Sequence, residues 1–267
     1  MRGVHLYTLL DMKNVSAYEK VSNAFSVAPS DTIGGYYETM MDALEAAGSL
    51  DKCDIFQFMS AHNLADSQIN WNDPGTNNPI ATNTPIWTQY QGFTSTLGPP
   101  KGYVDCNYKA NSDGDKYKLD DATVIVGTGN TVVDLSEFGA RVGSSNETRI
   151  NGWSNGTSVR ASLNGNYVAI PNTLGKGIGH FGATRNSSPS FKVWQNKTSS
   201  TQARASASVT SRGFWATTAN TNDSTVEVTL KQVRYVWAGG YLTDVEYGAT
   251  IDAIEACLDS LGTGLIT

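Results

Sequence analysis

The stretch that decides the fold reads Ser190-Phe191-Lys192-Val193-Trp194-Gln195. Side chains alternate along a strand, so Phe191 and Val193 fall on one face of it and Trp194 on the other. We predict a strand over these six residues. Short alternating runs of this kind, set among Asn, Ser, Thr and Gly, continue through residues 94–237 with almost no helix-forming segment. The middle of the chain is therefore predicted to be β-structure.

Short strands separated by turn-forming residues about every 8–12 positions are typical of a sandwich of two antiparallel sheets. The other predicted strands cover residues 53–59, 122–127, 131–135, 157–163, 167–170, 213–217 and 225–237. In the last of these runs the apolar positions change face near Gln232. That switch predicts a bulge or a change of face at this point.

Two helices are predicted at the margins of the sandwich. The first covers roughly residues 35–47, where Ser30 or Asp31 is placed to cap it and Gly48 to end it. The second covers residues 243–261 and begins with a capping box, in which Thr243 and Glu246 satisfy the first free amides. Its apolar stripe is made by Ile251, Ile254, Leu258 and Leu261.

No repeat of fixed period is visible, which favours one domain. We expect residues 31–267 to form a mainly β, two-sheet antiparallel jelly-roll sandwich with flanking helices. Residues 1–30 are weakly patterned. They are predicted to form an N-terminal arm that attaches the domain to a neighbouring subunit.

Composition argues against several kinds of partner. The net charge is −6 and the isoelectric point is near 5.0, whereas a nucleic-acid partner calls for a basic face. No apolar run approaches the ~18 residues of a membrane helix, so we expect no membrane insertion. Cys53, Cys106 and Cys257 are odd in number and far apart. We expect thiols rather than a disulfide framework or a zinc site, with one disulfide left open.

Three parts of the chain together carry a family resemblance. The first, residues 41–54, is a helix that ends in Ala-Gly before a strand. The second leads from Ile69-Asn70-Trp71 to Gly102-Tyr103-Val104-Asp105. The third is the 190–197 strand with the 234–262 tail. In this order, spanning roughly residues 36–262, they resemble bacteriophage virion proteins whose fibre or decoration subunits carry a concanavalin A-like jelly roll.

The resemblance implies a location on the virion and a structural role, as a head fibre, capsid decoration or tail fibre subunit. It also implies that the partners are other virion proteins and that the chain is a homo-oligomer, with a trimer as one option. A second function stays open beside this one. The chain is alternatively a carbohydrate-binding module of a tail fibre that recognises a host-surface glycan.

Tryptophans are the candidate ligand-binding residues for this alternative. Trp153, Trp194 and Trp215 lie in or beside turn-rich segments, and aromatic faces stack on the apolar faces of sugars. They are the candidates for a sugar platform. The interpretation that we favour is that they fill the core or a subunit contact, where aromatic residues also concentrate.

Catalysis is not expected. Retaining glycoside hydrolases of similar fold carry Glu-x-Asp-x-x-Glu on one strand, and the nearest string here covers residues 132–137. Asp134 and Glu137 match, but Val132 occupies the nucleophile position and cannot form the glycosyl intermediate. We therefore predict no catalytic residues and no enzyme activity.

No metal or cofactor is expected either. His5, His62 and His180 are far apart and lack ligand-spaced partners. Asp113 and Asp115 begin an acidic loop that offers oxygen ligands for Ca²⁺. The loop lacks the glycine and the closing Glu of a calcium loop, which favours an ordinary turn.

Overall fold

The chain folds into two packed sheets with helices on one side. A computed structural model describes residues 15–130, 136–143, 146–154 and 156–266. The helices are α1 (Ala17–Ser22), α2 (Asp31–Ala46) and α3 (Asp244–Ser260). The strands are β1 (Cys53–Phe58), β2 (Ile80–Thr82), β3 (Ile86–Thr88), β4 (Gly92–Thr94), β5 (Tyr103–Asp105), β6 (Ala122–Thr128), β7 (Phe138–Val142), β8 (Asn146–Ser154), β9 (Ser158–Gly165), β10 (Val168–Pro171), β11 (Gly179–Ser187), β12 (Ser190–Gln195), β13 (Thr198–Ala203), β14 (Trp215–Ala216), β15 (Thr218–Thr221), β16 (Ser224–Val228) and β17 (Val233–Gly239).

The strands divide into two sheets. The first sheet has the order β13-β12-β11-β6-β17-β4-β3, and β1 pairs with β17. The second sheet has the order β10-β9-β8-β7-β14-β5-β2, with β15 paired to β7 and β16 paired to β15. The pairings are antiparallel except for β15 and β7, which run parallel. This arrangement confirms the predicted antiparallel jelly-roll sandwich.

The two sheets bury one continuous apolar layer between them. The strands that border it, such as β6, β9 and β12, contribute every second residue, as the alternation of a strand requires. Side chains from the first sheet include Val124, Val126, Phe181 and Val193, and those from the second include Phe138, Ile150, Ala161 and Leu163. Burying one such valine, leucine or phenylalanine contributes about 1.5–3 kcal/mol. This layer fixes which residues of the second sheet must point away from the first.

A second apolar layer covers the other face of the first sheet. Phe56 and Phe58 of β1 point to the same side and pack with Trp237 against the helices. The helices contribute Val21 from α1, Tyr37, Met41 and Leu44 from α2, and Ile251, Ile254 and Leu258 from α3. The outer face of the first sheet is thus closed by helices.

Local signals place both predicted helices correctly. Ser30 caps α2 by accepting a hydrogen bond from the Ile33 amide. Thr243 and Glu246 form both hydrogen bonds of the predicted capping box at the start of α3. The Nζ of Lys52, next to β1, lies 2.6 Å from Oε1 of Glu246. This contact ties the start of α3 to the sheet.

The predicted strand over residues 225–237 is wrong as one element. It is two strands, β16 in the second sheet and β17 in the first, joined by residues 229–232. The change of face predicted near Gln232 reflects this crossing between sheets. β7, β8, β11 and β13 were not predicted, and the strand predicted over residues 131–135 lies outside the described residues.

The described part of the predicted arm packs on the domain. Val21 of α1 is fully buried against α2. The Phe25 ring lies 5.5 Å from that of Trp71 and 6.2 Å from that of Tyr37. Residues 1–14 lie outside the described residues, so the attachment role stays a prediction.

Two further expectations concern the membrane and the thiols. Among the described helices, none combines the length and the apolar character that crossing a bilayer requires. Cys53, Cys106 and Cys257 are all buried free thiols. The disulfide left open by the sequence is therefore not formed.

Candidate functional site on the outer face of the second sheet

The outer face of the second sheet is the face turned away from the first sheet. Since Phe138, Ile150 and Ala161 point inward, their neighbours along the strands point outward. The described helices all pack on the opposite side of the molecule. This outer face is therefore the broad sheet surface that no described helix covers.

One cross-strand row runs across five strand boundaries of this face. Residues directly opposite each other on paired strands point to the same side. The row consists of Ile80, Asp105, Trp215, Gly139, Arg149 and Ser162. Adjacent strands are ~4.8 Å apart, so Trp215 and Arg149, two strands apart, are separated by roughly 10 Å of sheet. The row brings together residues more than 100 positions apart in the sequence.

Gly139 is required in the middle of the row. Its φ of +132° is a backbone conformation that residues with a side chain rarely adopt, and a Cβ there would stand 2.1 Å from the Thr148 carbonyl oxygen. Glycine leaves room for the neighbouring strand. Gly139 itself adds no side chain to the row between Trp215 and Arg149.

One half of the outer face is rich in arginine. Arg149 and Arg160 each place their guanidinium carbon 5.5 Å from the centre of the Tyr167 ring. The Tyr167 side chain is 44% exposed, whereas Arg149 is only 7% exposed. Arg141 lies on the neighbouring strand opposite Glu147. The Glu147 carboxylate lies 3.5 Å from the Arg149 Nε, so this half of the face carries three guanidinium groups on adjacent strands together with the Glu147 carboxylate.

Arg160 differs from Arg149 in its partners. None of the ion pairs among the described residues includes Arg160. Its Nε is shielded from solvent and has no hydrogen-bond partner in the described part of the chain. Leaving a shielded donor unsatisfied costs about 1–3 kcal/mol. An acceptor from outside the described protein, either water or a ligand, therefore pairs with this Nε.

The other half of the outer face is aromatic. The rings of Trp215 and Tyr103 stack with centroids 4.1 Å apart and planes 30° apart. Burial, followed by the nearby Asp105 carboxylate, raises the pKa of Tyr103. The phenol therefore stays protonated and can donate a hydrogen bond at neutral pH.

A cavity adjoins each half of the face. Beside Trp215 lies a polar cavity of about 410 Å³, which Asp105, Asp113, Asn220 and Asp223 also line. Beside Tyr167 lies a groove of about 730 Å³, which Asn166, Gln202 and Arg204 also line. The outer face thus offers aromatic rings, hydrogen-bonding groups and cationic groups, with space at both ends.

The structure separates the three tryptophans of the candidate platform. Trp215 lies on the outer face, 6% exposed. Trp194 is buried on the helical side, where it stacks on Tyr247 of α3 with centroids 4.2 Å apart. Trp153 is half-buried next to Gly177. Only Trp215 therefore belongs to the candidate site.

Sequence analysis missed Tyr103, Arg149, Arg160 and Tyr167. One signal was present in the sequence. Three of the eight arginines of the chain lie between positions 141 and 160, and one of them, Arg149, alternates with Glu147 and Asn151 in a strand-like run. Because the polar residues of this run resemble turn residues, the strands that carry them were not predicted.

The residues considered for catalysis and metal binding have structural roles. The Glu137 carboxylate is fully buried in an ion pair with Lys231 and accepts a hydrogen bond from the Gly152 amide. Burial, opposed by Lys231, raises the pKa of Glu137. Asp134 lies outside the described residues. Glu137 is therefore enclosed by protein and not open to a substrate.

The acidic loop, His62 and His180 are also held by the protein, and His5 lies outside the described residues. Asp113 accepts hydrogen bonds from the Lys109 amide and the Ser112 hydroxyl, as in an ordinary turn. His180 is buried between the Tyr235 hydroxyl and the Glu255 carboxylate. Within the described residues, no group of three or more His, Cys, Asp or Glu side chains is placed to hold a metal ion.

Comparisons with known proteins find likeness in solved structures alone. No protein-family model matches the sequence, and no curated protein matches it either. A carbohydrate-binding module (CBM40) of the Ruminococcus gnavus IT-sialidase, bound to α2,3-sialyllactose, is 12% identical, with a TM-score of 0.41 over 50% of this chain and 84% of that one.

Two other similar structures cover more of this chain. Domain 4 of AbnA, an extracellular GH43 arabinanase of Geobacillus stearothermophilus in complex with arabinotriose, is 13% identical, with a TM-score of 0.41 over 75% of this chain and 98% of that one. Botulinum neurotoxin type C, which depends on two ganglioside molecules to enter cells, is 10% identical, with a TM-score of 0.49 over 78% of this chain and 53% of that one. At these values the likeness says nothing of what this chain binds.

Proposed function

We propose that the chain is a carbohydrate-binding module and that its ligand lies on the outer face of the second sheet. The observation that carries this proposal is the cross-strand row in which Trp215 and Arg149 flank the bare backbone of Gly139. An aromatic ring packs against the apolar face of a sugar, while guanidinium and carboxylate groups bind its hydroxyls. A sheet holds such groups in fixed positions, as a binding site requires.

The separation of the two halves indicates the size of the ligand. A ligand that contacts both Trp215 and Arg149 must span roughly 10 Å, two strand spacings. The cavities beside Trp215 and Tyr167 lengthen the available surface at both ends. An oligosaccharide fits this surface better than a single sugar.

A glycan array followed by titration calorimetry tests the proposal. We expect binding to at least one oligosaccharide, a loss of about fivefold or more in affinity for Tyr103→Ala, and a smaller loss for Trp215→Phe, since a stacked aromatic contact contributes about 1 kcal/mol. Trp215→Phe keeps a buried ring, which protects the fold. Thermal unfolding of each variant shows whether it is folded.

Tyr241→Ala is the matched control. Tyr241 lines a different cavity, with Asp51, Lys52 and Lys116 beside the start of α3. Its removal should leave the affinity unchanged. The proposal is contradicted if no glycan on the array binds, or if Tyr103→Ala and Tyr241→Ala lose affinity equally.

A role on a virion is a second proposal, supported by the resemblance to phage fibre and decoration proteins. One feature favours assembly into a homo-oligomer. β13 is an edge strand that pairs only with β12 among the described strands, and its side chains are mostly exposed threonine and serine. An open edge can pair with another copy of the chain. Light scattering and images of the particle would show the copy number and whether the outer face points away from the particle.

A further inference from the structure

We infer that the glycan bound by the outer face is acidic and that Arg160, with Arg149 and Tyr167, binds its carboxylate. This inference rests on the proposed function and names the chemical class of its ligand. Arg160 is the central residue because, in the described part of the chain, it has neither an ion-pair partner nor a hydrogen-bond acceptor for its shielded Nε.

The geometry around Arg160 suits a carboxylate. Both Arg149 and Arg160 lie 5.5 Å from the Tyr167 ring centre, so one ring positions two guanidinium groups on the same part of the sheet. A guanidinium binds a carboxylate through two parallel N–H···O hydrogen bonds. The exposed Tyr167 borders the groove of about 730 Å³, which gives a ligand access to this place.

The charge of this region is opposite to that of the whole chain. The chain has a net charge of −6, yet the arginine half of the face carries Arg141, Arg149 and Arg160 on three adjacent strands, with the Glu147 carboxylate beside Arg149. The acidic residues at the other half, Asp105 and Asp223, line the cavity beside Trp215. An acidic sugar is therefore attracted to the arginine half, and an uncharged sugar suits the aromatic half.

The test compares matched ligands on the whole chain. An array of carboxylated, sulfated and uncharged oligosaccharides identifies the ligand, and its carboxyl methyl ester removes only the charge. We expect the ester to bind about 10- to 100-fold more weakly than the free acid, the loss that one charge-assisted hydrogen-bonded contact brings. Raising the salt concentration should weaken binding of the acid but not of the ester.

Two substitutions at one position separate charge from geometry. Arg160→Gln should lower the affinity for the acid about 10- to 100-fold and leave the affinity for the ester unchanged. The affinity of Arg160→Lys for the acid should lie between that of the unaltered chain and that of Arg160→Gln, because lysine keeps the charge but not the paired N–H donors. Lys192→Gln removes one positive charge on the helical side, where Lys192 pairs with Asp244, and should have no effect.

Each outcome of the test has one meaning. Binding to uncharged glycans alone or to sulfated glycans alone, or an acid affinity that Arg160→Gln does not change, overturns this inference and leaves the proposed function standing. Binding to no glycan overturns both. If Arg160→Gln unfolds the chain, the comparison of acid with methyl ester on the unaltered protein still decides.

Discussion

Arg149 and Trp215 occupy one cross-strand row of the second sheet, two strands apart, with Gly139 between them. Both side chains are nearly buried, at 7% and 6% exposure, so their positions are set by the sheet and not by a loop. A site built this way keeps its spacing when the surrounding loops change. Its integrity therefore depends on the strands that form the row.

Gly139→Ala should destabilise the fold by about 1–3 kcal/mol, because the new methyl group meets the Thr148 carbonyl and the positive φ becomes strained. Urea unfolding measures the difference. Gly35→Ala is the control, since Gly35 lies within α2 with no atom near its would-be Cβ. That substitution should stabilise the chain by about 0.5–1 kcal/mol. An equal effect of the two substitutions would show that Gly139 is not constrained.

Lys231→Met should cost about 3–5 kcal/mol, because it leaves the Glu137 carboxylate buried without its cation. The double variant Glu137→Gln/Lys231→Met removes both charges and should recover a large part of that loss. Chemical denaturation of the two variants and the unaltered chain gives the comparison. A double variant no more stable than Lys231→Met would mean that the pair matters for its shape and not for its charge.

Acid should weaken the start of α3. Burial alone would raise the pKa of Glu246, but hydrogen bonds from Lys52 and Thr243 outweigh it and hold the pKa below its usual 4.5. A lowered carboxyl pKa adds stability above the unfolded-state value, and that stability is lost as the pH falls through the folded-state value. Glu246→Gln lacks this contribution at every pH.

The measurement is the free energy of unfolding between about pH 7 and pH 3. The difference in the free energy of unfolding between the unaltered chain and Glu246→Gln should be constant near neutral pH and should shrink below about pH 4.5. Asp42→Asn, which removes an exposed carboxylate from α2, serves as the control for charge. A difference that does not change with pH would show that Glu246 acts only through its shape.

The thiols should react only after unfolding. Burial raises the pKa of Cys257 to about 12 and raises the pKa values of Cys53 and Cys106 as well. The thiolate is the reactive form, so a thiol reagent should label none of the three cysteines in the folded chain and all three in denaturant. Labelling of a single cysteine in denaturant without reductant would indicate a disulfide between the other two.

Local chemistry made some elements predictable from the sequence. The capping box at Thr243 and the alternation over Ser190–Gln195 each depend on a few neighbouring residues, and both are present as predicted. The run over 225–237 failed because its two halves bury different faces in different sheets. Only the register between distant strands contains that information.

The candidate site was less predictable than the fold for the same reason. In β8, the outward Glu147, Arg149 and Asn151 alternate with Thr148, Ile150 and Gly152, only one of which is strongly apolar. The usual strand pattern is therefore absent where the site lies. Tyr103 and Trp215, which stack on each other, are 112 positions apart in the sequence. No local sequence pattern predicts this contact.

The three helices seal one broad side of the molecule and leave the opposite side to the arginine and aromatic residues. The two broad sides of the chain, the helical side and the outer face of the second sheet, therefore differ in character. A larger structure that binds the chain through its helical side, or joins copies along their strand edges, would leave the outer face of the second sheet exposed to solvent in every copy. Repeated copies would then meet a polymeric sugar at many points at once, so that weak individual contacts add up to firm attachment.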